Sequence, residues 1–308
     1  MGRPDSIHSI SVGKNEDNFH AIFFEFVADV RQQHFLMKTT PDLMKDYFTN
    51  WMSQLDSKIT NFNEKEVEEL EQIKNFKMKD PKDRKKDEKV EINETKIREF
   101  IVEIEDYGFL KFNSATTINK MILIHLIIQF ETFIKKTLDL VYHINPKFLK
   151  SKKTLEFNDL IDVDDKHEIL HLMIDKQIDD LLHQDIEKIS DYFEEKTGLK
   201  FSDYEKWNDC KERFYRRNIV THNDGVPNEI YWSKTNITPQ DVVLKVDDNY
   251  LVESFVFFRS FAHHITDYFE IKFGTKQKDP HKSYHSTPSD KTDMLFFEEK
   301  IKKDTQTR

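Results

Sequence analysis

The chain has 308 residues, 34% charged and 37% apolar, with 26 Phe but only 6 Gly; an average composition, near 7% glycine, would carry about three times as many. So little glycine leaves few left-handed turns and no glycine-rich phosphate loop, which excludes P-loop, dinucleotide-binding and turn-rich β-sandwich architectures and predicts an all-α protein. The net charge of −10 does not exclude nucleic acid, because Leu155 to Glu195 holds roughly fourteen acids against three bases and the remainder is close to neutral.

Residues Asn18 to Met37 form the first predicted helix, with Phe19, Ile22, Phe23, Phe26 and Val30 on one side. Thr40-Pro41-Asp42 reads as a new helix start, with an N-cap hydroxyl, proline at the first helical position and an acid in the first turn. Apolar residues then recur at helical spacing from Leu43 to Phe62, and Glu64 to Glu71 continues that helix with solvated faces. Met78 to Glu91, lysine-rich and containing Asp-Pro-Lys, is a predicted exposed loop. Asn93 is a predicted cap for a helix ending at Tyr107-Gly108. Residues 1–113 are thus expected to be an N-terminal helical extension.

Ser114 to Ile144 is apolar nearly all round at its centre, as a buried helix requires, and Asn145-Pro146 stops it. Ser151 to Asp165 is a connection. His167 to His183 and Gln184 to Gly198 follow as amphipathic helices, the second closed by Gly198 as a C-cap. Ser202 is expected to cap a helix running through Trp207, Cys210 and Phe214 to Asn223-Asp224-Gly225. Val226 to Lys245 reads as irregular, with room for a short β-hairpin. Asp247 or Asp248 starts a last long helix to Phe273-Gly274. Residues 114–274 form the main helical domain, and 275–308 a flexible tail with an amphipathic piece at Met294 to Ile301.

The single cysteine, Cys210, excludes a disulfide framework and a cysteine-based zinc site. Charges interrupt every long apolar stretch, so no membrane span is expected. The predicted location is cytoplasmic.

The helix through Trp207 carries an anomaly. Its apolar stripe of Trp207, Cys210 and Phe214 continues by the same spacing onto Arg217 and Thr221. An arginine therefore stands where a core residue belongs. Asn218 lies about 100° from Arg217 around the helix and His222 about 140°. Asn218 and His222 are also an i,i+4 pair. Asn223-Asp224-Gly225 ends the helix there and leaves His222 on its last turn. A guanidinium offers a rigid, permanently charged fork for phosphate oxygens, and an imidazole moves protons near neutral pH. The pair suits RNA cleavage through attack of the 2′-hydroxyl on the adjacent phosphate. It equally suits an arginine salt-bridged to a neighbouring acid beside a histidine at the helix C-terminus.

Tyr215-Arg216-Arg217-Asn218-Ile219-Val220-Thr221-His222-Asn223-Asp224-Gly225 resembles the signature of the HEPN superfamily, an Arg, four to six residues and a His, often with Asn directly after the Arg. The later Glu229-Ile230-Tyr231 and the buried Phe130-Glu131-x-Phe133-Ile134 are similar to one broad HEPN group. The resemblance spans roughly Ser114 to Gly274. It implies an up-and-down helical bundle, usually a homodimer. It also implies metal-independent endoribonuclease activity without a cofactor, in toxin–antitoxin or antiviral defence. Arg217 and His222 would be catalytic, with Asn218 supporting. Some members are non-catalytic RNA-binding or protein-interaction modules, so that alternative stays open. Asp224 stands where antitoxin-silenced members often carry Tyr, which puts that antitoxin form of regulation in doubt.

Other groups accompany this motif. Glu131 is a candidate partner for Arg217, and His125, one turn before Gln129, a candidate support or half of a buried polar pair. Lys206, Lys211, Arg213 and Arg216 either track an RNA backbone or complement the acidic segment. His167-Glu168-Ile169-Leu170-His171 matches the HExxH zinc pattern, with Glu194 or Glu195 at a plausible spacing for a third ligand. Its charged approach, Asp164-Asp165-Lys166, argues against a buried zinc hydrolase.

Overall fold

The computed structural model describes residues 18–80, 89–149, 165–237 and 243–273. Among these the protein is all-α. Eight helices follow in order: α1 (Phe19–Ile59), α2 (Glu64–Met78), α3 (Thr95–Ile144), α4 (Lys166–Leu182), α5 (Ile186–Thr197), α6 (Trp207–His222), α7 (Glu229–Thr235) and α8 (Asp248–Phe273). Short 3-10 turns cover Pro146–Leu149 and Phe201–Asp203. The predicted tail 275–308, the loop core 81–88 and most of the Ser151–Asp165 connection lie outside the described residues.

Several predicted breaks are absent. Helix α1 runs through Pro41, although proline removes one backbone donor and crowds the preceding turn. The hydroxyls of Thr39 and Thr40 donate to the carbonyls of Phe35 and Leu36 just there. Helix α3 runs through Gly108, which has open space around it. The expected continuation into Glu64 does break. Asn63 caps α2 with its side chain on the Glu66 N–H, and the Glu66 carboxylate returns to the Asn63 N–H. Asn93 is not the cap of α3. The Glu69 carboxylate of α2 accepts the N–H groups of both Asn93 and Glu94.

The described residues pack as two compact units, Phe35–Ile118 and the described parts of Met1–His34 with Asn119–Arg308. The division differs from the expected one at residue 113, because residues 19–34 join the second unit. Phe26 meets Phe133 at 5.4 Å and Phe130 at 6.0 Å, ring centre to ring centre. Burying such a side chain is worth about 1.5–3 kcal/mol, and Phe19, Ile22, Phe23, Val27 and Val30 of the same stretch are buried as well. The unit Phe35–Ile118 has its own core of Phe48, Leu55, Phe100 and Tyr107.

In the second unit Phe130 sits at the centre, fully buried, with Phe258 at 4.9 Å and Phe261 at 5.5 Å. Leu123, Leu126, Ile127, Ile134 and Leu138 of α3 are buried around it. By length and composition α3 contains a window apolar enough to cross a membrane, contrary to the expectation that charges interrupt every such stretch; 39% of that window is buried inside the protein. Gly198 closes α5 as expected, in the left-handed region at φ 77°, with its N–H on Glu194 O at 2.9 Å.

Candidate active site

Helix α6 begins at Trp207, after the 3-10 turn that contains Ser202, so Ser202 is not its cap. Cys210 and Phe214 fill its inner face. Burial pushes the Cys210 thiol far up, away from any nucleophilic role. At the far end the Asn223 N–H donates to Ile219 O at 2.9 Å. Asp224 and Gly225 then take positive φ, 49° and 83°. Gly225 donates to Ile219 O and accepts from Leu244 N–H at 2.8 Å. A Cβ on Gly225 would stand 3.0 Å from Leu244 O, so the turn needs glycine.

Arg217 follows Phe214 on the inner stripe and finds an acid there. Its Nη2 donates to Glu131 Oε1 of α3 at 2.8 Å. The two side chains are 22% and 21% exposed. Burial pushes the Glu131 carboxyl above its ordinary value, and the Arg217 charge opposes that rise. Arg217 Nε is buried and has no acceptor. A buried donor without a partner costs about 1–3 kcal/mol, so this guanidinium is only partly satisfied within the chain.

Arg217, Asn218 and Glu131 line one cavity of about 340 Å³. Its opposite wall is the turn between α4 and α5, where His183, Gln184 and Asp185 contribute. None of these three is a candidate on sequence, where their one signal is a polar run at a helix boundary. Tyr215 also lines the cavity, and its hydroxyl donates to Glu187 Oε2 at 2.9 Å.

The other candidates lie elsewhere. His222 is exposed on the last turn of α6 and does not line this cavity. Asp224 is exposed and shapes the turn. His125 is exposed, not buried, and meets Gln129 at 3.4 Å. It lines no part of the Arg217 cavity.

Two of the three predicted RNA-binding residues are structural. Arg213 is buried, donating to Ser254 Oγ and Asp209 O and stacking on Phe257 at 4.7 Å. Arg216 donates to Glu212 Oε1 at 2.6 Å and to Lys245 O at 2.8 Å, over the Tyr250 ring at 4.0 Å. Tyr231 and Tyr250 complete the set by donating to the same Glu212 carboxylate. A buried guanidinium is stable only with such partners, and these hold it away from a ligand. Lys211 is half-buried. The expected β-hairpin after Val226 is the short helix α7, capped by the Asn228 side chain.

The zinc pattern falls partly outside the described residues. The side chain of His167 lies outside the described residues. His171 is exposed. Glu194 pairs with Lys200 at 2.8 Å and Glu195 with Lys196 at 3.0 Å. Among the described residues no group of three or more His, Cys, Asp or Glu side chains could hold a metal ion.

Compared with protein-family models, curated proteins and solved structures, the chain matches none.

Proposed function

We propose that the protein is a HEPN-like endoribonuclease that cleaves RNA without a metal, acts as a cytoplasmic homodimer and serves antiviral defence or toxin–antitoxin growth arrest. One observation carries this reading. Arg217 lines a cavity with Glu131 as its one acceptor and its Nε N–H unaccepted, so its hydrogen-bonding capacity is not filled within the chain. A phosphate in the cavity would meet the guanidinium edge not held by Glu131, a shift of the side chain would free Nε as a further donor, and Asn218 would orient the group. Glu131 holds the guanidinium plane by Nη2. His222 would take the 2′-hydroxyl proton while the 2′-oxygen bonds to phosphorus. The P–O5′ bond breaks, leaving a 2′,3′-cyclic phosphate, and the departing O5′ becomes a hydroxyl by taking a proton from water, while the imidazolium of His222 returns its proton to solvent. Because His222 stays outside the cavity of its own chain, this reading takes the dimer as the active form.

The test is incubation of the full chain with RNA in excess chelator. Cleavage with a 2′,3′-cyclic phosphate end, lost in His222→Ala and in Arg217→Ala, is the expected result. Cleavage that survives His222→Ala, or that disappears only on chelation, overturns it.

A second reading has its own support. Arg213 and Arg216 are consumed by the fold and Arg217 is paired, which thins the basic surface expected of a nuclease. A non-catalytic RNA-binding or protein-interaction module fits that. It predicts retained RNA or partner with no product.

A further inference from the structure

The turn between α4 and α5 borders two hollows. One is the Arg217 cavity of about 340 Å³, where His183 and Gln184 stand across from Arg217 and Asn218. The other, about 400 Å³, is formed by Gln177, Asp180 and Leu181 of α4 and again by His183 and Gln184. The two hollows therefore adjoin, with His183 and Gln184 as their common wall. Asp180, His183, Gln184 and Asp185 are all exposed, so the pair forms a groove along the surface. Each hollow has the size of a small-ligand site, which starts at about 300 Å³.

The two shared side chains differ in what they offer. Gln184 is held by the fold. Its Nε2 donates to Asp180 O at 3.2 Å, and its Oε1 accepts from Lys188 Nζ at 3.1 Å. His183 makes no hydrogen bond, ion pair or ring contact among the described residues. An imidazole that the fold does not use presents a flat face, and histidine is one of the side chains on which unstacked bases settle. Charge does not oppose an anion in the groove. Arg217 has donors beyond the one on Glu131. Lys188 brings a second cation to the turn. Asp185 heads α5, where the positive end of the helix offsets its charge.

We propose that the two hollows are adjoining nucleotide subsites for single-stranded RNA. The first takes the phosphate on Arg217 and Asn218 and its nucleotide, whose base stacks on His183; the second takes the neighbouring nucleotide. His183 is then a specificity residue that selects unpaired strands, because a base inside a duplex offers it no face. The assignment rests on the reading of the Arg217 cavity as an RNA site, and it gives His183 a role in binding only.

The test uses the full chain and a dinucleoside monophosphate with 2′-deoxyribose at its 5′ nucleoside, which 2′-hydroxyl attack cannot cleave. Its calorimetric titration is compared with that of the abasic counterpart, which has the same phosphodiester and no bases. The dinucleotide should bind more tightly than the abasic probe. His183→Ala should weaken the dinucleotide by about 5- to 150-fold, the worth of one base–aromatic stack, and leave the abasic probe where it was. His183→Phe keeps a flat ring and should restore most of the affinity. Arg217→Lys should weaken both probes. His183 is exposed, so these replacements leave the fold intact; His171→Ala, which lines neither hollow, is the control and should bind as wild type. No saturable binding of the dinucleotide, equal affinity for the two probes, or unchanged affinity in His183→Ala overturns the subsites. A loss in His183→Ala that His183→Phe does not restore overturns the stack. Neither probe can be cleaved, so His183-dependent binding without RNA cleavage by the wild type upholds the groove and removes the nuclease reading alone.

Discussion

Arg217 and Glu131, 86 residues apart in the chain, meet at 2.8 Å and join α6 to α3. The contact sits at the edge of the core, where each side chain keeps about a fifth of its surface. Burial raises the Glu131 carboxyl more than Arg217 lowers it. The folded protein therefore holds that proton more readily than the unfolded chain, whose ordinary value is 4.5. The resulting stability is fully present below that value and is lost as pH rises through the higher folded one. Glu131→Gln cannot titrate and should lose this decline. Melting temperatures of both proteins from pH 4 upward check it; parallel curves would refute the assignment. Glu131→Ala, which leaves Arg217 without its acceptor, should cost about 1–3 kcal/mol by denaturant titration.

His264 should produce the opposite slope. It is half-buried against Tyr204, ring centres 5.2 Å apart, and burial lowers its pKa below the ordinary 6.5. A histidine with a depressed folded value supplies stability above the unfolded value and loses it as pH falls. His264→Gln should therefore flatten the stability curve as pH falls below the ordinary 6.5. An unchanged slope would place that titration elsewhere.

Gly225→Ala should destabilise the end of α6. The residue sits at φ 83° and its Cβ would press on the Leu244 carbonyl. Such strain costs about 1–3 kcal/mol. Chemical denaturation measures it, and a loss under about 0.5 kcal/mol would show that the turn can shift.

Gly108→Ala should act the other way. The position is inside α3, and nothing lies within 4 Å of an added Cβ. Alanine gains about 0.5–1 kcal/mol over glycine in a helix interior. A rise in melting temperature of roughly 2–4 °C is expected.

The Arg217 anomaly was legible because a 3–4 spacing of apolar residues was interrupted by a charge at a core position. Gly198 and Gly225 were legible as helix ends for a local reason, the left-handed backbone after a last turn. The breaks at Pro41 and Gly108 are absent because a single proline or glycine weakens a helix by only about 1–3 kcal/mol, a local preference that the rest of a long helix overrides. The burial of Arg213 and Arg216 was not legible because, beside the local Asp209 and Glu212, their partners Ser254, Lys245 and Tyr250 come from later segments.

Periodicity, capping and glycine scarcity, all local rules, fix the all-α class, the Arg217 helix end and the anomaly of Arg217 itself, while Asn218, Glu131 and His222 became candidates through the HEPN resemblance. Which charges are consumed and which line a cavity depends on tertiary packing. It put Arg213 and Arg216 into buried networks, paired Arg217 with Glu131 and left His222 outside. The physical reason is that burial and pairing are properties of segments far apart in the chain, and desolvation, which sets what each charge can do, is fixed only when those segments meet.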